Sequence, residues 1–245
     1  MVYRIVASLL LVGGTAFGAS LDVNSGAQLS FATLSDLSSF ITLVNQTIAF
    51  VQEQPTVDGY VNAIPDMRSG VGVALGESFG DGLQGGLRAE LATWETGTEG
   101  TWTRDDSQFP VSLSLKVGFL ALEGQIAFEV VPGLFSLGLA GGWGWGKLDY
   151  ACSFDLPTDW AIPFQPPPGP EVYHTSGPVG AAYARVSLPL FPQFSLGFEL
   201  GVRLAGLGML AADGTPLDLD GDGEGESLDL SGFWLGLSVK LAFEL

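Results

Sequence analysis

Two stretches of this sequence place side chains at spacings that could do chemistry. The run DLDGDGEGESLD, residues 218–229, sets carboxylates at its positions 1, 3, 5, 7, 9 and 12, with Gly223 at position 6. Alternate carboxylates can wrap a hard cation while the glycine permits a sharp turn, so Asp218, Asp220, Asp222, Glu224 and Asp229 form a candidate calcium loop. Asp229 stands where such loops favour a bidentate glutamate, and Gly225 stands where they favour an apolar residue. A solvated acidic hairpin tip is the competing reading. The second stretch holds the sole histidine. His174 and Ser176 fall on one face of a strand start, an imidazole beside a hydroxyl. Nucleophilic use of that pair needs a third group to orient the imidazole.

The elements that must position these groups follow from composition and periodicity. The chain is 47% hydrophobic with a mean hydropathy of +0.34, yet only 15% charged. Beyond the N-terminus no apolar run approaches the ~18 residues that a membrane helix needs. The first 19 residues read as a cleaved secretory signal, with Arg4, an apolar core and small residues before a cut after Ala19. Residues 20–245 then form one β domain. A net charge of −18 excludes nucleic acid as a partner, because phosphate repels it. Cys152 is the only cysteine, so no internal disulfide can form.

Eight segments alternate with period 2: 21–31, 68–79, 83–95, 111–131, 134–150, 173–191, 194–210 and 228–245. In the last, Phe233, Leu235, Leu237, Val239, Leu241 and Phe243 oppose Trp234, Gly236, Ser238, Lys240 and Ala242. The fourth changes phase around residues 120–122, which predicts a one-residue bulge there. Short turns at 80–82, 132–133 and 192–193 alternate with long connections at 32–67, 96–110, 151–172 and 211–227. That order is required of an up-and-down barrel with both termini on the periplasmic side. In the first long connection, Leu37, Phe40, Ile41, Val44, Ile48 and Val51 keep helical spacing, predicting a short helix within 34–51. It could cap the barrel mouth, enter the lumen or lie on lipid.

The fold expected is therefore all-β: an eight-stranded antiparallel up-and-down transmembrane β-barrel with a short helix in its first external loop. Its small, polar face carries Arg68, Arg88, Lys116, Arg185, Arg203 and Lys240. With Glu90, Glu129, Glu199 and Glu244 these would form a salt-bridge ladder in a narrow lumen, since an unpaired buried charge is costly. Inward glycines at 70, 72, 138, 142, 144 and 146 leave room for water, a hydrophobic ligand or the helix.

This architecture resembles the small eight-stranded outer-membrane proteins of diderm bacteria, the OmpA-barrel, OmpX and OmpW type. The C-terminal strand, with Phe243 and an apolar Leu245, is similar to the signal read by the barrel-assembly machinery, although that signal usually ends in Phe or Trp. The resemblance implies an outer-membrane location, lipid and the assembly machinery as partners, and no specific ligand. Barrel enzymes that modify lipid A offer weaker parallels. Deacylases carry a His-x-Ser pair with a glutamate one strand-length later, where this chain has Leu188. A palmitoyltransferase pairs its His with an Asp-Ser that Asp106 and Ser107 loosely echo. Three readings follow: a non-enzymatic protein that presents loops or contacts ligands, a narrow pore or transporter for small or hydrophobic solutes, and a lipid-modifying enzyme.

Overall fold

A computed structural model of the chain describes residues 21–79, 82–154, 156–157, 160, 162–168 and 171–243. The signal segment 1–19 and its cut after Ala19 lie outside the described residues, as do Glu244 and Leu245.

The elements are β1 (Leu21–Ala32), α1 (Ser35–Gln52), β2 (Asp58–Val61), β3 (Ser69–Phe79), β4 (Leu83–Arg104), β5 (Ser107–Val131), β6 (Phe135–Phe154), β7 (Glu171–Phe191) and β8 (Phe194–Leu204). Short strands β9 (Gly206–Met209), β10 (Ala211–Ala212), β11 (Thr215–Pro216) and β12 (Ser227–Asp229) precede β13 (Gly232–Phe243). Strands β1, β3, β4, β5, β6, β7, β8 and β13 pair antiparallel in that order, and β13 returns to β1 from Leu21↔Phe243 to Ala32↔Gly232. The chain is an eight-stranded up-and-down barrel. Closure leaves the ring without a free edge, so strand backbone groups find partners all the way round.

The phase change in the fourth segment is not a bulge. The β4–β5 register runs unbroken from Leu83↔Phe128 to Arg104↔Ser107, and β5 slips against β6 only between Glu129 and Val131. Odd-numbered residues of β5 face inward throughout. In the half near the short turns these are Ala121, Glu123, Gln125 and Ala127, while Leu122, Ile126 and Phe128 are exposed outside. Nearer the long loops they are Val111, Leu113, Leu115, Val117 and Phe119, all buried, and the outside carries Ser112, Ser114 and Lys116. Side-chain direction is constant, and the surroundings exchange places. The same reversal crosses β6, where outward Trp143 and Trp145 give way to Lys147 and Asp149, and inward glycines give way to Leu148, Tyr150, Cys152 and Phe154.

One connection and two strand segments differ from expectation. Residues 96–110 are a continuation of the β4–β5 hairpin, not a loop. Its two-residue turn, Asp105 and Asp106, has both φ values positive at 49° and 63°, the twist that suits a tight hairpin. The seventh segment splits, with β8 ending at Leu204 and β9 leaving the ring to pair with β12. The eighth splits likewise into β12 and β13.

Above the ring these pieces close over an apolar core. The helix spans 35–52, and its Leu37, Phe40, Ile41, Val44, Ile48 and Val51 pack inward against Trp94, Trp102, Leu115, Leu148 and Tyr150. Phe40 meets the Tyr150 and Phe164 rings edge-on at 6.2 and 5.9 Å. Asn45 exchanges two hydrogen bonds with the Ile64 backbone, at 2.7 and 3.1 Å, and Thr47 Oγ1 donates to the Phe164 carbonyl at 2.8 Å. Of the positions open to it, the helix takes the barrel mouth. No helix among the described residues is long and apolar enough to cross a membrane, which says nothing of crossing by strands.

Phe40 is fully buried at the centre of this cap. Phe40→Ala should cost about 3–5 kcal/mol. Denaturant unfolding followed by tryptophan fluorescence should show the cap loosening at lower denaturant than in the unsubstituted chain.

Candidate functional site

The lumen is built in three levels. At the short-turn end, inward residues of β4–β8 and β13 surround an open vestibule of about 700 Å³ whose polar lining includes Gln84, Glu129, Arg185 and Lys240. Glu129 accepts hydrogen bonds from Gln84 Nε2 at 2.9 Å and the Gly133 backbone N–H at 3.2 Å. Lys240 on β13 pairs with Asp22 on the adjoining β1 at 2.5 Å.

At mid-height the ring holds three arginines and three glutamates. Arg88 Nη1 contacts Glu199 Oε1 at 2.7 Å, and its guanidinium lies 3.7–3.8 Å from Glu90 and Glu123. Arg185 Nη2 reaches the other Glu199 oxygen at 2.7 Å, and Arg203 is bonded to Glu90. All six are buried or nearly so. Trp234 Nε1 adds a hydrogen bond to Glu199 Oε1 at 2.9 Å, and Tyr183 donates to Gln125 Oε1 at 3.0 Å. The Trp234 ring also lies 5.0 Å from Arg88 and 5.6 Å from Arg203, within cation–π range. Equal numbers of opposite charges let the cluster sit in a narrow lumen without a net field.

Glycine makes the aromatic part of this cluster possible. Gly138 faces Tyr183 across β6–β7 and Gly201 faces Trp234 across β8–β13, and a Cβ at either glycine would collide with the ring. At Gly70 the collision would be with the Thr93 carbonyl and Trp94, at Gly144 with Val179 and Phe119, and at Gly146 with Leu228, Leu207 and Thr175. At Gly70, Gly138, Gly144 and Gly146 the room is taken by neighbouring side chains, and at Gly72 and Gly142 by the backbone carbonyls of Leu91 and Leu122. Beside the charged cluster only about 30 Å³ remains, between Asn24, Gln28, Arg88, Gln125 and Ser238, the share of one water in the liquid.

The sequence-expected ladder divides accordingly. Arg88, Glu90, Arg185, Glu199 and Arg203 come together, while Glu129 and Lys240 lie in the vestibule. Arg68 and Lys116 are outside the lumen. Arg68 precedes β3 and pairs with Asp66 at 2.6 Å in solvent, and Lys116 pairs with Glu95 on the outer face at 3.6 Å. Both lie in the half where the polar face is the outer one. Glu244 lies outside the described residues. Asp22, Glu123, Trp234 and Tyr183 complete the lumenal network. Their inward parity was readable, but Trp234 and Tyr183 look like ordinary wall residues until the glycine opposite each is known.

At the loop end, Asp218, Asp220 and Asp222 bring carboxylate oxygens within 4.8 Å of one another. Asp218 accepts from the Gly221 and Gly223 N–H groups, Asp220 from Asp222, and Asp222 from Glu224, leaving one oxygen each on Asp220 and Asp222 unused. Glu224 is not in this group. Asp229 is also separate: its Oδ1 accepts from Ser231 N at 2.9 Å, because residue 229 belongs to β12 rather than to the loop. Nearby, burial pushes the Glu226 carboxyl up despite a bond from Leu219 N–H, and Asp220, Asp36 and Asp222 push it further. For Asp36 burial acts in the same direction, but donation from Ser227 N and Oγ at 2.9 and 2.8 Å outweighs it and holds that carboxyl below its ordinary range. These two bonds tie the first turn of α1 to β12.

His174 and Ser176 face outward on β7. The cross-strand partners of His174 are Lys147 and Ala211, and among the described residues no carboxylate bonds to its ring. Asp106 and Ser107 sit at the tip of the β4–β5 hairpin.

No family model matches the chain, and no curated protein is similar to it in sequence. Among solved structures it is similar to Ail, the attachment invasion locus protein of Yersinia pestis, seen alone and in complex with the heparin analogue sucrose octasulfate. Each comparison gives 11% identity and covers 93% of this chain and 100% of the other, with TM-scores of 0.43 and 0.44. The assignment of the fold rests on the closed ring of eight strands.

Removing Arg88 would leave Glu90, Glu123 and Glu199 facing one another with two arginines. Arg88→Ala should therefore destabilise the barrel by about 3–5 kcal/mol. The check is the urea midpoint of the detergent-folded protein, with Lys116→Ala, on the outer surface, shifting it by less than about 0.5 kcal/mol.

Proposed function

We propose that this protein is a non-enzymatic outer-membrane barrel that anchors a rigid, acidic head for ligand contact outside the cell. One observation carries the reading: the exchange of apolar and polar faces part-way along continuous strands. On β5, Leu120 to Val130 is ten residue steps, roughly 33 Å along the strand and roughly 25 Å along an axis tilted by ~40°. That matches the height of the apolar band of a membrane barrel. Outward Trp143 and Trp145 stand where the band ends and Lys147 follows, as aromatic residues do at a bilayer surface. Beyond them the protein is built like a soluble domain, with its apolar side chains inside.

The short turns and both ends of the ring fall on the side opposite the head, which supports a periplasmic position for them. The apolar outer face of β13 supports delivery through the barrel-assembly machinery. The filled lumen and the capped mouth favour a closed structural barrel over a pore, and the outward His174 without an acid favours binding over lipid chemistry. The head's charge narrows the ligand class. Residues 205–231 hold seven acidic side chains and no basic one. Cationic surfaces and divalent ions fit such a head, and a sulfated sugar of the kind bound by the Yersinia protein would be repelled.

The barrel should migrate differently on detergent gels before and after boiling, and it should stay electrically silent in planar bilayers. A detergent-free soluble monomer would overturn the membrane reading, and steady discrete channels would transfer the proposal to the pore.

Asp218, Asp220 and Asp222 support a second, narrower reading: a weak calcium site of the extracellular class, with a dissociation constant of about 10⁻⁴–10⁻³ M. Calcium there would relieve the repulsion that raises the Glu226 carboxyl. Calorimetry should detect one site that Asp220→Asn removes, and no heat at millimolar calcium would exclude it.

A further inference from the structure

On β3 the outward residues Val71, Val73 and Leu75 are exposed, as the apolar band requires, and the next residue of that parity is Glu77. Its cross-strand neighbours are Val23 on β1 and Leu87 on β4, both members of the band. Among the described residues, Glu77 is the one charged side chain in the outward band. It stands two residues from the end of β3, near the short-turn surface.

Glu77 is 1% exposed, and neither of its oxygens has a hydrogen-bond partner. Glu123 is likewise buried and without a hydrogen bond but lies 3.7 Å from Arg88, whereas Glu77 has no ion pair among the described residues. Arg88, next to Leu87 across the β3–β4 pair, points into the lumen and is held there by Glu199, Glu90 and Glu123. Glu77 instead lines a groove of about 330 Å³ whose outward walls include Leu75, Leu87, Ala89, Leu122 and Gly124, and whose lining also takes in the strand positions of Asn24, Arg88 and Glu123. An ionised carboxylate kept in apolar surroundings without a partner is costly. Glu77 and Glu123, the two carboxylates along the groove, offer a hard metal ion too few oxygens, since calcium takes six to eight, and Glu123 is engaged by Arg88. The chemistry that satisfies both parts of the groove is a primary ammonium joined to an aliphatic chain.

We infer that this groove is a binding site for a lipid with an ethanolamine headgroup, drawn from the leaflet at the short-turn side. The ammonium donates to Glu77, and an acyl chain lies along Leu75, Leu87 and Leu122. Gly124 forms the floor: a Cβ there would meet only the Gly141 carbonyl at 3.9 Å, so an added side chain would project into the groove without disturbing the strand. The site rests on the membrane reading given above. A larger groove of about 640 Å³ lies at the upper edge of the band, beside Trp145, Lys147 and His174. Its lysine is already paired with Asp149 at 2.6 Å, and it serves as a control surface.

The test uses the full chain in bilayer discs of phosphatidylethanolamine, phosphatidylcholine and phosphatidylglycerol in equal parts, ejected into a native mass spectrometer. Phosphatidylcholine carries the same net charge but cannot donate a hydrogen bond, so the comparison isolates the ammonium protons. The unsubstituted barrel should retain one phosphatidylethanolamine with about tenfold preference over either other lipid. Glu77→Gln should bring that preference close to one, and Gly124→Phe should remove retention by filling the groove. Gly118→Phe, which fills the upper groove where nothing lies within 4 Å, should change neither. An inserted barrel that shows no preference, or one whose preference survives both Glu77→Gln and Gly124→Phe, overturns the lipid site and leaves the membrane reading intact. A chain that does not insert removes both.

Discussion

The structure depends on one constraint: three arginines and three glutamates must neutralise one another inside a ring too narrow to admit bulk water. Arg88 is the hub, because it alone touches all three carboxylates, on β4, β5 and β8. Buried ion pairs do not by themselves favour folding over an apolar core of the same shape. Their effect here is selective. A slip of one residue between strands would turn Arg88 or Glu199 outward into the apolar band and leave its partners unpaired. Register on opposite sides of the ring is thereby linked, in a barrel whose outer wall of leucine and valine would otherwise tolerate sliding.

The cluster also explains the glycines. A lumen of eight strands has room for side chains and little else. Filling it with guanidinium groups, carboxylates and two large rings requires wall positions with no side chain, and Gly138 and Gly201 supply them directly opposite Tyr183 and Trp234. The rings cover backbone that would otherwise face the lumen, and Trp234 donates to Glu199. Small residues and aromatics are thus two halves of one device. The residual cavity at this level is about 30 Å³, whereas the vestibule below it is open. The transition between them falls at Arg185, which borders both.

Much of this was legible in the sequence, and most of the failures share a cause. Period-2 alternation located all eight ring strands, and 3.6-residue spacing located the helix to within one residue at each end. The inferred bulge at 120–122 arose from assigning each strand face a single environment along its whole length. Alternation reports which residues share a face, and it is silent on whether that face meets lipid, water or a core. Where β5 passes from the band into the head, the apolar face moves from outside to inside while the parity stays fixed. The same assumption misplaced Lys116 in the lumen and turned the Thr/Gly-rich residues 96–110 into a loop. In that hairpin extension the outward residues are Thr, Glu and Gly, a polar mixture that reads as a connection. The acidic run was legible as a cluster of ligand types, but its twelfth position was not, because β12 begins within the run and carries Asp229 away.

The reversal also decides how the two halves of the molecule can behave. In the band the inward charges are matched and the outward surface is almost free of charge, so the barrel interacts with its surroundings through shape and apolar area. In the head the order is opposite, and the excess carboxylates fall on the outer surface or in the 218–229 loop. Because α1, β9 and β12 pack onto strands that continue directly from the ring, the head has no linker about which to swing. Asp36 closes the arrangement, joining the first helical turn to Ser227 through a carboxylate that these bonds hold below its ordinary pKa. A head fixed in this way presents its acidic surface in one orientation to whatever lies outside, and contact with a cationic partner then requires little ordering of the protein itself. On the proposed reading, specificity would be set by where the carboxylates stand, and the barrel's part would be to keep them there.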